Sequence, residues 1–390
     1  MSRTGQFLTF VGIVLAVMGL VHFYVWARLV EAPAPPPAVK RTLTALFVLL
    51  FLTIPLSFYA TRGDVAARRW LALPGYVWLG ALFLLFATVL AVDVVRVAGA
   101  LVQRLVSDLP PEDPARRVSI ARLVAAGIAL VSGTASAAAL RSGLGPVSIR
   151  TVTVRLPRLP KTLHGTTIVQ LSDIHVGPTI GRDFIEDIVS RVNALQPDLV
   201  AITGDLVDGT VPELWDAVSP LEGLRSRFGT YFVTGNHEYY SGADSWCAAL
   251  PKLGIQVLRN SRVSIGESPD ASFDLAGVDD HDAKRFGGGE NVERAVSGRD
   301  PNRELVLLAH QPRAAFQADR HGVGLQLSGH THGGQIWPWR YLVYLQQPIV
   351  SGLGKVGKTL VYVSSGTGYW GPPMRLAAPA EITKIILESA

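Results

Sequence analysis

Long runs of apolar residues dominate the first third of the chain. Four segments, at residues 7–26, 43–59, 76–95 and 123–140, contain few charged side chains. A helix of about 20 apolar residues can cross the roughly 30 Å hydrocarbon core of a bilayer, where every backbone group must bond within the helix. The pattern therefore predicts an all-α transmembrane region of about four helices within residues 1–148.

The fourth apolar segment is the weakest of the set. It is rich in small residues and ends in an Ala-x-Ala pattern, so it predicts either a fourth span or the apolar part of a signal-like segment. His22 and Asp93 lie near the ends of predicted spans, where snorkelling of a polar group towards water would explain them.

The pattern changes near residue 149, where short apolar runs begin to alternate with polar loops. The run RTVTVRL alternates as an edge strand does, and residues 184–195 have apolar positions at helical spacing between the runs TTIVQL and LVAIT. Strand, helix and strand in succession predict a parallel pair, and hence an α/β domain at residues 149–390. Functional side chains in such sheets collect where the strands end.

Polar residues follow five of the predicted strands. In chain order they are Asp173 and His175, then Asp205 and Asp208, then Asn236, His237 and Glu238, then His310, and then His330 and His332. Five of the nine histidines are therefore expected at one edge of the domain.

The donor types of this group suit divalent metal ions. Carboxylate, imidazole and amide oxygen are ligands for Mn, Fe or Zn, and the absence of thiolates from the set argues against a structural zinc site. Two cations about 3.5–4 Å apart, held by a shared carboxylate, can clamp a phosphate and activate a water molecule. The pattern therefore favours a catalytic centre with two divalent metal ions (Mn, Fe or Zn).

The order of these motifs resembles that of the calcineurin-like metallophosphoesterases. The set is Asp-x-His, Gly-Asp-x-x-Asp, Gly-Asn-His-Glu, a single His and Gly-His-x-His. The resemblance implies a double-sheet α/β sandwich, and it implies two metal sites that share Asp205. One site would use Asp173, His175, Asp205 and His332, and the other Asp205, Asn236, His310 and His330. The resemblance also implies that His237 is an unliganded acid or oxyanion stabiliser and that Asp208 orients it.

The stretches LSDIHVG, GHTHGGQ and YVSSGTGYWGPP are most similar to a bacterial, membrane-associated branch of the family, some members of which cleave acylated nucleotide sugars. The chain has Gly209 and Thr210 where protein phosphatases of the family have Arg-Gly, which argues against a phosphoprotein substrate. We therefore expect a membrane-anchored hydrolase of phosphomonoester, phosphodiester or pyrophosphate bonds, with a lipid-linked or acylated nucleotide-sugar substrate. The alternative is a membrane sensing module that binds a phosphorylated ligand without turnover.

Charge bears on partners and on orientation. The excess of 36 Lys and Arg over 31 Asp and Glu is small, and no basic run is interleaved with aromatic residues, so we expect no nucleic-acid partner.

The basic residues near the predicted spans indicate the orientation of the chain in the membrane. Seven flank the first and third loops between the spans and four flank the opposite side; the seven are Arg28, Lys40, Arg41, Arg96, Arg104, Arg116 and Arg117, and the four are Arg3, Arg62, Arg68 and Arg69. Because basic loops stay in the cytoplasm, four spans predict a multi-pass cell-membrane protein with an extracytoplasmic catalytic domain. If the fourth segment does not span, three spans with the same loop charges would leave the catalytic domain in the cytoplasm.

Overall fold

A computed structural model of the chain describes residues 3–60, 65–106, 113–268 and 270–389. Arg62, which entered the charge comparison, lies outside these residues. Two compact units divide the chain: Met1–Arg141 with Pro372–Met374, and Ser142–Gly371 with Arg375–Ala390. We refer to them as the helical unit and the sandwich unit.

The helical unit contains four long helices. They are α1 (Arg3–Trp26), α2 (Pro37–Ala60), α3 (Val65–Val106) and α4 (Pro114–Gly143). Each contains a segment long and apolar enough to cross a membrane, which confirms the prediction of about four apolar helices. The fourth apolar segment, which the sequence left open, lies within the continuous 30-residue helix α4.

Polar contacts within the helical unit join α1 to α3. His22 is buried, and the Trp78 indole donates a hydrogen bond of 2.9 Å to its Nε2, so the snorkelling interpretation is wrong for this residue. Asp93 accepts a hydrogen bond of 2.6 Å from the Tyr24 hydroxyl and one of 2.8 Å from Arg28 Nε. Buried His22 and partly buried Asp93 thus find hydrogen-bond partners elsewhere in the helical unit, as polar groups in an apolar region require.

The sandwich unit contains two six-stranded sheets. Their strands are β1 (Ser148–Leu156), β2 (Thr167–Leu171), β3 (Leu199–Thr203), β4 (Thr230–Val233), β5 (Ile255–Val257), β6 (Ser261–Ser268), β7 (Ala271–Gly277), β8 (Leu305–Leu308), β9 (Leu325–Ser328), β10 (Gly352–Val356), β11 (Thr359–Val363) and β12 (Glu381–Ser389). The first sheet has the order β1-β12-β2-β3-β4-β5, and the second has the order β10-β11-β9-β8-β7-β6. Strands β2 to β5 are parallel to one another, and so are β7, β8, β9 and β11.

The two sheets pack face to face through one apolar cluster. Ile168 and Leu199 of the first sheet lie in this cluster with Phe273 and Leu325 of the second, and all four are fully buried. The residue after Ile168 points to the opposite face of its sheet, because side chains alternate along a strand. A strand buried on both faces has apolar residues at successive positions, so it appears in the sequence as a short continuous apolar run. These runs are why the strands could be predicted.

Helices cover the two outer faces of the sheets. The helices of the sandwich unit are α5 (Arg182–Ala194), α6 (Val211–Val218), α7 (Asn236–Ser241), α8 (Ala243–Ala249), α9 (Val292–Val296), α10 (Ala315–Arg320) and α11 (Arg340–Val343). Helix α11 has no buried residue and covers neither face. Ile185 and Trp246 pack with Val169 on the outside of the first sheet, and Val292 packs with Leu305 on the outside of the second. This arrangement confirms the predicted double-sheet α/β sandwich, which follows the all-α region along the chain.

Three strands were not predicted from the sequence: β6, β10 and β12. Strand β12 lies inside the first sheet, parallel to β1 and antiparallel to β2, so β1 occupies the sheet edge as its alternating pattern indicated. The parallel strands β2, β3 and β4 of one sheet and β8 and β9 of the other carry the five polar loops at their carboxyl ends.

Candidate metal centre

Loops from both sheets bring the polar residues together. The loops after β2, β3 and β4 supply the first seven positions, and the loops after β8 and β9 supply the rest; the residues in question are Asp173, His175, Asp205, Asp208, Asn236, His237, Glu238, His310, His330 and His332. Three groups of these side chains place their ligand atoms within 4.8 Å of one another: Asp173, His175 and His332; Asp205, His310 and His330; and His175, Asp208 and His237.

The backbone of these loops adopts an uncommon conformation. Five of the residues have a left-handed backbone, namely Asp173 (φ 52°), His175 (φ 56°), Asp205 (φ 51°), His330 (φ 69°) and His332 (φ 49°). Such a conformation costs a non-glycine residue about 1–3 kcal/mol, and it persists where the surroundings impose it. Backbone hydrogen bonds from Asp173 to Gly204 (3.0 Å) and from His175 to Asp205 (3.1 Å) tie the first two loops together. The cluster is thus preorganised by the protein.

Two glycines allow the loops to approach closely. A Cβ atom at Gly329 would collide with Ser172 Oγ and with a carboxylate oxygen of Asp173, and one at Gly235 would collide with the carboxylate of Asp205. Neither glycine has a positive φ, so close approach and not backbone freedom requires them.

The first group of ligand atoms centres on two facing imidazoles. His175 Nε2 lies 3.1 Å from His332 Nε2, and His332 Nε2 lies 3.4 Å from Asp173 Oδ1. All three residues are buried. Two ring nitrogens and a carboxylate oxygen at these distances point at one small volume, which is the arrangement of a cation site.

The second group has the same character. His310 Nε2 lies 3.2 Å from His330 Nδ1 and 3.1 Å from Asp205 Oδ2. Asn236, the first residue of α7, is buried, and its Oδ1 atom has no hydrogen-bond partner among the described residues. A buried, unpaired amide oxygen is costly unless something binds it, and a cation would.

Asp205, a member of the second group, also faces the first. Its Oδ2 atom, which lies 3.1 Å from His310 Nε2, is also 3.8 Å from His175 Nε2. Its Oδ1 atom accepts a hydrogen bond of 2.8 Å from the backbone N–H of His237. One carboxylate therefore faces the two groups and is fixed by the loop that carries His237.

A third group lies beside the first. Asp208 Oδ1 is 2.6 Å from His237 Nδ1 and 3.1 Å from His175 Nδ1, so one carboxylate oxygen holds two imidazoles. The His237 ring also lies edge-on to two half-exposed aromatic residues, with centroid distances of 5.5 Å to Tyr240 and 5.6 Å to Trp370. His237 thus stands between the buried cluster and an aromatic rim.

Burial and charge shift the pKa of His330 and His332 in one direction and that of His237 in the other. Burial lowers the pKa of His330 to about 3 and also holds the pKa of His332 well below its usual value. Both rings are therefore neutral at physiological pH, which is the form that binds a metal. Burial also opposes protonation of His237, but the charge of Asp205 and the hydrogen bond with Asp208 outweigh it and raise its pKa to about 9.

Glu238 was quoted in the sequence motif without a role, and it is the residue that joins two of the loops. Its buried carboxylate accepts hydrogen bonds from the backbone N–H groups of Gly235 (2.6 Å), Asp205 (3.0 Å) and Leu206 (2.8 Å). It lies at the third position of α7, where a carboxylate commonly caps a helix, and that was its signal in the sequence.

Asp280 was missed by the sequence reasoning. It follows β7 and is buried; its N–H donates to Thr234 (3.2 Å), and its Oδ1 accepts from Gln311 (3.2 Å). Its Oδ2 atom has no partner within the described part of the chain, and burial raises its pKa to about 6. It therefore connects the loop after β4 to the residue after His310. The paired Asp at the end of the run FDLAGV was the available signal.

Arg375 was also missed, and nothing in its sequence surroundings marks it. The side chain is fully buried, and its guanidinium donates hydrogen bonds of 2.8 Å to the carbonyls of Ser365 and Ala378. One of its nitrogens lies 3.4 Å from His332 Nδ1. Arg375 thus packs behind a candidate metal ligand and fixes the loop that carries it.

Comparisons with known proteins agree with this geometry. The family model described as calcineurin-like phosphoesterase matches residues 166–334. A Danio rerio protein named "Transmembrane protein with metallophosphoesterase domain" is 37% identical, with 99% of this chain and 90% of that protein covered. A Bos taurus protein of the same name is 39% identical, with 96% and 88% covered. An uncharacterized metallophosphoesterase of Campylobacter jejuni is 32% identical, with 98% and 99% covered.

These matches extend over nearly the whole chain, so they include the four apolar helices as well as the sandwich unit. They agree with the membrane association that those helices indicate. The chain therefore belongs to the calcineurin-like metallophosphoesterase family and is a metal-dependent phosphoester hydrolase with a transmembrane region.

Proposed function

We propose that the protein is a membrane-anchored hydrolase that uses two divalent cations to cleave a phosphomonoester, phosphodiester or pyrophosphate bond in a lipid-linked substrate. The observation that carries this proposal is the position of Asp205, one oxygen of which faces both groups of imidazoles. A carboxylate shared in this way is what a pair of cations requires. The four apolar helices of the same chain support the choice of a lipid-linked substrate.

The residues would divide between the two cations as follows. Asp173, His175 and His332 would hold one, His310, His330 and Asn236 would hold the other, and Asp205 would bridge them. Carboxylate, neutral imidazole and amide oxygen suit Mn, Fe or Zn. When bound, such a pair polarises the phosphoryl oxygens and supplies an activated water molecule.

His237 would act on the leaving group. Its Nδ1 atom is held by Asp208, which leaves Nε2 as the atom that can donate a proton. With a pKa of about 9, the ring carries that proton at neutral pH. Asp208 would keep the ring in this orientation and would favour its charged form, because His175 and His237 together hold the pKa of Asp208 below its usual range against the effect of burial.

The test of catalysis uses the purified full-length protein in detergent. We expect Mn²⁺-dependent release of nitrophenol from bis-p-nitrophenyl phosphate or p-nitrophenyl phosphate, loss of this release with EDTA, and its recovery when Mn²⁺ is restored. A pyrophosphate diester assayed for cleavage of its P–O–P bond extends the test to the third bond class. Absence of metal-dependent hydrolysis in all three assays would favour a module that binds a phosphorylated ligand without turnover.

We propose further that the sandwich unit lies outside the cytoplasm. The support is the bias of seven basic residues over four between the two sets of loops, together with the even number of apolar helices within the described residues. In a bacterial host, alkaline phosphatase fused after residue 390 is expected to be active, and a Sec-exported green fluorescent protein fusion at the same point is expected to be dark. A fluorescent fusion with inactive alkaline phosphatase would place the domain inside.

A further inference from the structure

The segment after the last two candidate ligands exposes an unusual amount of apolar surface. Within residues 337–345, which we call the aromatic segment, six large side chains are about half exposed or more: Trp337, Trp339, Tyr341, Leu342, Tyr344 and Leu345. Leu345 is 80% exposed. Soluble domains seldom leave such a contiguous apolar patch in water, and its presence marks a surface that binds an apolar partner.

The exposure does not come from a loosely held backbone. The segment begins beside buried Ile336, which pairs with Leu376, and the N–H of Trp337 donates a hydrogen bond of 3.0 Å to the carbonyl of Leu376. The N–H of Leu376 in turn donates to the carbonyl of Gln335 at 2.8 Å. Helix α11 then fixes the middle of the segment. The apolar side chains are therefore held outward by an ordered frame.

The same frame connects the aromatic segment to the candidate metal centre. Gln335 lies three residues after His332, and its side chain bonds both backbone groups of Trp370, at 2.9 Å to the carbonyl and 3.1 Å from the N–H. The Trp370 ring lies 5.6 Å from the His237 ring. The aromatic segment thus begins next to Trp370, one of the two aromatic residues that contact His237.

The stretch of sequence around the aromatic segment has basic residues and no acidic ones. No Asp or Glu occurs in the sequence between Asp319 and Glu381, whereas Arg340, Lys355 and Lys358 fall in that interval. The two lysines are exposed. Arg340, which lies within the aromatic segment, complements a layer of anionic lipid headgroups, and Trp and Tyr are enriched where protein meets that layer.

We propose that the aromatic segment inserts into the headgroup region of a bilayer that contains anionic phospholipid. The same chain carries four helices able to cross a membrane, so a bilayer is present at high effective concentration. Trp, Tyr and Leu with a basic residue such as Arg340 are the composition of interfacial membrane contacts. The consequence for catalysis rests on the proposed function. With the aromatic segment in the headgroup region, the phosphate of a lipid-linked substrate can reach His237 while the apolar part of that substrate stays in the membrane.

The direct test measures contact with lipid and needs no catalysis. Cys247, the single cysteine, is replaced in the full chain by Ser, and a cysteine is introduced at Leu345 or, as control, at Asp216, whose side chain is 90% exposed. Each variant is labelled with a nitrobenzoxadiazole fluorophore and reconstituted in phosphatidylcholine–phosphatidylglycerol nanodiscs with doxyl-labelled lipid. We expect quenching and a blue shift at position 345 and neither at position 216. Equal, weak quenching at both positions, or shielding at 345 without quenching by lipid, would overturn the proposal.

A second measurement links the contact to substrate choice. The double variant Tyr341→Ser/Leu345→Ser is expected to lower hydrolysis of a phospholipid monoester in vesicles about fivefold or more and to leave hydrolysis of p-nitrophenyl phosphate unchanged. The matched control is Ile149→Ser, a change at a half-exposed apolar residue of strand β1, and it should alter neither rate. Equal rates on vesicles for the double variant and the wild type would contradict membrane docking. If the wild type hydrolyses neither substrate, the proposed function fails, and the quenching experiment still decides the membrane contact.

Discussion

Replacement of Asp205 by Asn is expected to reduce bound divalent cation from two ions per chain to one or none, and to lower turnover by about a thousandfold or more. The amide of Asn has one uncharged oxygen, which is a weaker metal ligand than a carboxylate oxygen. The Asp205 carboxylate places Oδ2 near both His175 and His310, where it can serve two cations. Asn is the right replacement because it tolerates the left-handed backbone at this position (φ 51°) and its oxygen can still accept the His237 N–H. Metal content by mass spectrometry after dialysis against Mn²⁺, together with the rate on bis-p-nitrophenyl phosphate, measures both effects.

The control for this substitution is Asp216→Asn, the same chemical change at an exposed side chain of α6. It should leave metal content and rate unchanged. Two bound ions and near-native turnover in Asp205→Asn would remove Asp205 from the bridging position, and with it the main support for a two-cation centre.

The convergence of the polar residues at one edge of the domain could be expected from the sequence because of how the strands are buried. Strands such as β3 are covered on both faces, so they appear as short apolar runs, and the first polar residue after each run marks the strand end. Asp205 and His310 follow such runs directly. That the runs divide into two sheets does not follow from the local pattern, since β3 and β8 look alike, and it came from the family resemblance.

The roles and residues that sequence could not supply depend on contacts distant in sequence. The position of Glu238 suggests a helix cap, but its bond to the loop after β3 forms only because the loops after β3 and β4 lie side by side. Arg375 is 43 residues beyond His332 and reaches it only in the folded chain. Strand β12 begins with a buried Glu381, a residue that argues against a core strand until its partners are known: the Tyr362 hydroxyl at 2.8 Å and the Ser365 N–H at 3.1 Å.

Replacement of His237 by Ala is expected to lower turnover by about a hundredfold or more while both cations stay bound. The cation ligands do not include this ring in our proposal, and Asp208 keeps its second partner, His175, when the ring is removed. The loss should depend on the leaving group: a proton donor matters most for a poor leaving group such as an alkyl alcohol and least for nitrophenol. Rates on an alkyl phosphate and on p-nitrophenyl phosphate, with metal content measured on the same samples, therefore test the role as well as the importance of His237.

The control is His321→Ala, a histidine at the carboxyl end of α10, which should leave the rates on both esters unchanged. A reduced metal content in His237→Ala would show that this ring is a ligand, and the division of roles between His237 and the other histidines would be wrong. Equal losses on the alkyl and nitrophenyl esters, with metal retained, would exclude proton donation. Such a result would assign His237 to the developing phosphoryl charge, because stabilisation of that charge by a protonated ring held by Asp208 does not depend on the alcohol that leaves.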